Sequence, residues 1–189
     1  MQKIQLIGDS VTDEFQGTAN GFWVNDLRNL RPDIILINIA QSGSGVTQWL
    51  PHAAPYGNPY DWKLWDRVRC DCQAHIMLGI NSALGIFQPR LTCNEWSAKM
   101  GTLLESLLKQ TGRVPILSIP HPGTRTEMLY QNLMEEYANE IRWGYWSDYV
   151  TKPGIDFTQI LTPSDFSPND VHPNITGQIK ISAALSRLL

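Results

Sequence analysis

Short apolar runs alternate with helical patterns along this chain, and that alternation narrows the fold more than any other feature. The runs are Ile4–Ile7, Ile34–Ile39, His75–Leu78 and Val114–Ile119. Between them lie amphipathic patterns at about residues 21–30, 94–109 and 126–141, and another runs from Ile175 to Leu189. Runs of four to six apolar residues bounded by turn residues read as buried strands, and the longer periodic segments as helices. Strands separated by helices pair in parallel through right-handed crossovers, with helices on both faces of the sheet. Thr111-Gly112 is a sound stop for the helix over 94–109. With no repeat and no linker, residues 1–189 form one α/β domain.

The residues after each run carry the chemistry. Gly8-Asp9-Ser10-Val11-Thr12 follows the first run directly. A serine just past a strand-end glycine can be exposed on a tight turn that feeds a helix, whose N-terminal N–H groups face any anion formed beside it. Near the other end, Asn169-Asp170-Val171-His172-Pro173-Asn174 is a polar, proline-containing loop that precedes the last helix. Ser10 and His172 are distant in sequence, yet both can meet at the C-terminal edge of one parallel sheet. Asn38-Ile39-Ala40-Gln41-Ser42-Gly43 ends the second run, and Gly79-Ile80-Asn81-Ser82 ends the third.

These four blocks, in this order and each after a strand, resemble the signature blocks of the SGNH (GDSL) hydrolase family over about residues 3 to 185. The resemblance implies a three-layer α/β/α sandwich of flavodoxin-like topology around a mostly parallel sheet of about five strands. It also implies a serine esterase that needs no cofactor and no metal. Carried over by position, Ser10 is the nucleophile and His172 the base, and the backbone N–H of Ser10, the backbone N–H of Gly43 and the side-chain amide of Asn81 form the oxyanion hole. A serine hydroxyl becomes a useful nucleophile only when a base takes its proton. Fixed donors about 3 Å from the developing oxyanion supply much of the barrier reduction.

Two positions depart from the family pattern. The third block usually ends Asn-Asp, whereas this chain has Asn81-Ser82. The family's triad aspartate usually lies three residues before the histidine; here that position is Asn169, and Asp170 lies two before. Three arrangements satisfy the sequence: Asp170 orients His172; Asn169 or a backbone carbonyl does so, leaving a Ser-His dyad; or Asp165 reaches in from upstream. Asp170 is the first choice, because only a carboxylate both fixes the imidazole tautomer and stabilises the imidazolium.

Composition bounds the partners. A formal net charge of −3 and a pI near 5.8 argue against a nucleic-acid footprint. No apolar stretch reaches the roughly 18 residues of a membrane span. The first strand begins within three residues of Met1, so no signal peptide is expected and the chain reads as cytoplasmic, a longer secreted precursor aside. Cys70, Cys72 and Cys93 match no zinc spacing and read as free thiols of a reducing compartment, which would leave the Asn174-Ile175-Thr176 sequon inert.

The expected substrate is a small carboxylic ester with a short acyl group, O-acetyl groups on carbohydrate included. Two aromatic clusters, Tyr56, Tyr60, Trp62 and Trp65 after a loop with Pro51, Pro55 and Pro59, and Trp143, Tyr145, Trp146 and Tyr149, either stack on sugar rings or pack a small helix onto the sheet. Trp23 reads as core, and His121, in Pro120-His121-Pro122-Gly123, as a loop residue at the same sheet edge as the site. Two other functions share these residues: an acyltransferase that passes the Ser10 ester to a sugar or alcohol, and a catalytically weak glycan-binding module of the same fold.

Overall fold

The computed structural model describes residues 1–13, 22–54, 63–85, 88–143, 146 and 150–189. Five strands, β1 (Gln2–Gly8), β2 (Ile34–Asn38), β3 (Gln73–Met77), β4 (Ile116–Ile119) and β5 (Lys152–Asp156), form one sheet in the order β2-β1-β3-β4-β5. Every neighbouring pair is parallel. Among the described residues five α-helices connect or follow them: α1 (Phe22–Leu30), α2 (Ile80–Leu84), α3 (Cys93–Thr111), α4 (Met128–Arg142) and α5 (Ile175–Leu188). This is the three-layer α/β/α sandwich expected from the alternation.

The chain steps one way from β1 to β2 and the other way to β3. Right-handed crossovers then put α1 and α3 on opposite faces. Helix α1 packs on α5, and α3 on α4. Strand β1 is buried from Ile4 onward, and β3 and β4 are almost wholly buried, as strands covered on both faces must be. The core includes Ile4, Leu6, Ile7, Trp23, Ile76, Trp96, Leu103, Leu104 and Leu107. Helix α3 starts on a capping box, in which Thr92 Oγ1 accepts from Glu95 N and Glu95 returns a bond to Thr92 N. It stops at Gly112, whose φ is +64°.

Two elements escape the sequence patterning. Helix α2 spans only five residues, too short for a period to register. Strand β5 contains Pro153 and Gly154 and no apolar run, a composition tolerated because β5 is an edge strand. Its pairing with β4 is irregular between Leu117 and Ile119. Ser118 sits in that irregularity and repairs it: its hydroxyl accepts from Ile155 N at 2.8 Å and bonds His75 Nε2 at 2.8 Å. His75 is 2 % exposed, and burial pushes its imidazole down to about 4.

Ser118→Ala would strand two groups at once, the Ile155 N–H and the His75 ring nitrogen. The variant is expected to lose about 2 kcal/mol of unfolding free energy, measured by urea titration at pH 7. A loss under a few tenths of a kcal/mol would remove Ser118 as the tie between β4 and β5.

Candidate active site

The turn after β1 is fixed by its own carbonyls. Asp9 O accepts from Thr12 N at 3.0 Å and from Asp13 N at 2.9 Å, and Asp9 Oδ1 accepts from Val11 N at 3.0 Å. Trp23 Nε1 donates to Val11 O at 2.8 Å, and Asn38 Nδ2 donates to Thr12 O at 2.7 Å. The turn therefore buries Asp9 and Val11 on either side of Ser10, while Ser10 itself stays partly open to solvent.

Ser10 Oγ lies 2.8 Å from His172 Nε2, and His172 Nδ1 lies 2.9 Å from Asp170 Oδ1. The same Asp170 oxygen accepts from Val171 N at 2.7 Å and from His172 N at 3.1 Å. Burial pushes the Asp170 carboxyl up, but the bonds from the His172 amide and ring and from Val171 outweigh it and hold the carboxyl below its ordinary range. Of the three arrangements open at the sequence level, the Nδ1 contact is made by Asp170. Asn169 is exposed at φ +57°, and its left-handed backbone turns the chain so that Asp170 comes beneath the ring. Asp165 is buried and committed elsewhere, accepting from Lys180 Nζ and Thr162 N at 2.7 Å each.

The histidine loop is held by residues that sequence reading passed over. Thr124 N donates to Asp170 O at 2.7 Å, Asp170 N donates to Thr124 Oγ1 at 3.1 Å, and that hydroxyl donates to Ser167 O at 2.6 Å. Gly123 precedes it at φ +73°, and a Cβ there would run into the Asp170 carbonyl and Val171 Cα. A Gly-Thr pair in a loop between a strand and a helix is too common to have been singled out.

Gly43 stands in the loop after β2 at φ +77°, a left-handed conformation that suits glycine. Among the described residues, neither the Ser10 nor the Gly43 backbone N–H has a hydrogen-bond partner. Asn81 lies in the first turn of α2 and is 5 % exposed. One of its amide hydrogens goes to Ser44 O at 3.1 Å, which leaves a second for another acceptor. Ser82, where the family pattern has aspartate, is fully buried, and its hydroxyl accepts from Val46 N at 3.4 Å.

A small apolar cavity lies against these loops, lined by Val11, Ile80, His121, Phe166, Val171 and Pro173 among others. His121 stacks on Phe166 with ring centroids 4.7 Å apart, and its Nδ1 accepts from Gly123 N at 2.9 Å. Trp23 is core, as expected. The aromatic clusters divide: Trp65 is partly buried against the core, Trp146 meets Trp96 edge-on, and Trp143 is 76 % exposed. Tyr56, Tyr60, Trp62, Tyr145 and Tyr149, with Pro55 and Pro59, lie outside the described residues. Among the described residues no group of three His, Cys, Asp or Glu side chains is arranged to hold a metal, and no helix is long and apolar enough to cross a membrane.

No family model and no curated protein matches this sequence. Solved structures do match the fold. A mutant of an acetyl-xylooligosaccharide esterase from Geobacillus stearothermophilus superposes with a TM-score of 0.70 at 18% identity, covering 98% of this chain and 93% of that one. A family 3 carbohydrate esterase from Talaromyces cellulolyticus gives 0.71 at 13% identity, covering 100% and 96%. A GDSL-like lipase from Bacteroides thetaiotaomicron gives 0.67 at 13% identity, covering 99% and 87%. The fold is that of the SGNH (GDSL) hydrolases, as the four blocks imply.

Asp9, next to the serine, is 1 % exposed, and burial pushes its carboxyl up from 3.8 to about 7. A raised folded-state value contributes stability that is complete below about pH 3.8 and lost as pH rises through 7. Asp9→Asn keeps an oxygen for Val11 N and has no charge to bury. It is expected to be more stable than the parent at pH 8 by about 2 kcal/mol or more, with the advantage shrinking towards pH 4. Thermal unfolding at both pH values checks this; equal stability at pH 8 would mean that Asp9 ionises without cost.

Proposed function

We propose that the protein is a serine esterase in which Ser10 attacks the ester carbonyl, His172 carries the proton and Asp170 orients the imidazole. The observation that carries the reading is the continuous chain of hydrogen bonds from Ser10 Oγ through His172 to Asp170 at the C-terminal sheet edge. With Nδ1–H held by the Asp170 carboxylate, Nε2 is the unprotonated nitrogen and can take the Ser10 proton as the C–O bond forms. The imidazolium that results faces a carboxylate, so its charge is compensated.

The carbonyl oxygen becomes an oxyanion when the tetrahedral intermediate forms. The Ser10 and Gly43 backbone N–H groups and the second Asn81 amide hydrogen are the donors available to it. Collapse of the intermediate returns the proton from Nε2 to the departing alcohol and leaves Ser10 acylated. Water, deprotonated by the same nitrogen, then attacks the acyl carbonyl; the C–Oγ bond breaks, Nε2 returns the proton to Ser10 Oγ, and the acid leaves.

The substrate class we assign is a short-chain ester, and within it the O-acetyl groups of carbohydrate. The support is the fold comparison, since two of the structures reported above are carbohydrate esterases, one of them acting on acetyl-xylooligosaccharides.

Aryl acetates and acetylated xylo-oligosaccharides, assayed side by side, test the reading. Ser10→Ala should abolish turnover of both while the protein stays folded; more than a few per cent of parental activity would exclude Ser10 as the nucleophile. Asp170→Asn should lower kcat by roughly 10³- to 10⁴-fold, as loss of a triad carboxylate does. Asn169→Ala should cost less than about tenfold, since the side chain it removes is exposed and the remaining effect is strain in the left-handed backbone. A reversed ranking would return the chain to a Ser-His dyad. Asn81→Ala should lower kcat by about 10²-fold with KM nearly unchanged. A change confined to KM would make Asn81 a substrate-binding group.

A further inference from the structure

Asp13 is 4 % exposed and ends the turn that carries Ser10. Its backbone N–H is tied to Asp9 O at 2.9 Å, three residues beyond the nucleophile. Its side chain leaves that turn altogether: Asp13 Oδ2 accepts from the backbone N–H of Ser42 at 2.8 Å. Ser42 is the residue before Gly43. One carboxylate thus bridges the serine loop and the loop after β2, and it grips the peptide immediately before the proposed Gly43 donor.

We propose that Asp13 is a positioning residue for the oxyanion hole, fixing the Ser42-Gly43 segment so that the Gly43 N–H stays aimed at the oxyanion. The inference rests on the reading of Gly43 as a donor given above. Other bonds stabilise the same loop, among them Ser44 Oγ to Gly8 O at 3.2 Å and Asn81 Nδ2 to Ser44 O at 3.1 Å. Gln41 N donates to Gly8 O at 3.1 Å, Ser44 N donates to Gln41 O at 3.1 Å, and Ser44 Oγ donates to Gln41 O at 2.7 Å. These bonds hold the loop on either side of Gly43; among the described residues, the Asp13 bond is the one that ties Ser42 N, on the N-terminal side of the glycine, to the turn that carries Ser10.

The bond is of the stronger kind, a carboxylate accepting from a backbone N–H. Burial pushes the nearby Arg67 guanidinium down from its ordinary value, and the charge of the Asp13 carboxylate opposes that push. A backbone donor in a left-handed glycine has no side chain to hold it in place. Its direction must come from its neighbours, and a shift of a few tenths of an ångström would weaken the bond to an oxyanion more than the bond to a neutral carbonyl. Removal of Asp13 should therefore act on the transition state and spare ground-state binding.

The test compares Asp13→Ala, Asp13→Leu and Asp13→Asn on an aryl acetate, with kcat normalised to sites titrated by the acyl burst. Each variant is also measured against a trifluoromethyl ketone whose hemiketal with Ser10 carries an oxyanion. In Asp13→Ala and Asp13→Leu we expect kcat per site to fall about tenfold or more, KM to change less than twofold, and the ketone to bind weaker by the same factor as kcat. Asp13→Asn, which keeps an oxygen for Ser42 N, should recover most of that loss. A merely structural role would lower the number of titrated sites and leave kcat per site alone. Parental kcat per site in a folded Asp13→Ala or Asp13→Leu, or unchanged ketone affinity, overturns the proposal. So does failure of both to fold while Asp13→Asn is fully active. Ser10→Ala, run in parallel, separates the two levels: activity surviving there sinks the esterase reading itself, whereas its loss beside parental Asp13 variants sinks only the positioning role.

Discussion

Strand β1 hydrogen-bonds to β2 on one side and to β3 on the other, and all three run the same way. The chain reverses its direction across the sheet at that point, so the loops leaving β1 and β3 diverge to opposite faces and open a crevice between them. Ser10 leaves β1 and Asn81 follows β3, and both therefore border the crevice. The loop after β2 crosses back towards it, pinned by Ile39 N on Leu6 O at 3.1 Å and Gln41 N on Gly8 O at 3.1 Å. The last loop arrives from the β5 side and is docked on the β4–α4 connection through Thr124. A slip of β1 against either neighbour would break the 2.8 Å contact between Ser10 and His172, which spans 162 positions of sequence.

Much of this arrangement is legible in the sequence because the functional residues stand where apolar runs stop. Ile4–Ile7, Ile34–Ile39 and His75–Leu78 are each followed by a small residue, Gly8, Ala40 and Gly79, and the segments that start there form the rim of the crevice. What stays hidden has a physical reason in each case. Strand β5 is an edge strand whose stability comes partly from a buried serine on its neighbour, so its own residues need not be apolar. Thr124 and Asp13 act on backbone groups, and the residues they hold are defined only by the folded chain. Nothing at the level of composition or period distinguishes them from any other threonine in a loop or aspartate in a turn.

Two buried groups, His75 in β3 and Asp9 just past β1, oppose each other in their dependence on pH. Neutral burial of His75 contributes stability that is complete above pH 6.5 and lost as pH falls towards 4, a swing of roughly 3 kcal/mol. The protonated Asp9 contributes stability that is complete below 3.8 and lost as pH rises towards 7, a swing of roughly 4 kcal/mol. Across the interval from 4 to 6.5 one group gains what the other loses. The two contributions therefore offset each other over that interval.

The displaced aspartate shows how a site can keep its electrostatics while its sequence spacing changes. With the carboxylate two residues before the histidine, a regular backbone would carry Asp170 past the imidazole. The left-handed Asn169 folds the chain back one step early, and the Asp170 oxygen then caps its own loop, collecting Val171 N, His172 N and His172 Nδ1. Three donors on one oxygen fix the carboxylate relative to the ring and hold its pKa below the ordinary range. The arrangement costs a strained residue, on the order of 1 kcal/mol for an asparagine in this region. The Thr124 bonds to Asp170 N and O are the compensation that keeps the loop from relaxing. Asparagine is among the side chains that tolerate this conformation best. At position 169 it stands directly before the carboxylate that meets the His172 ring at 2.9 Å.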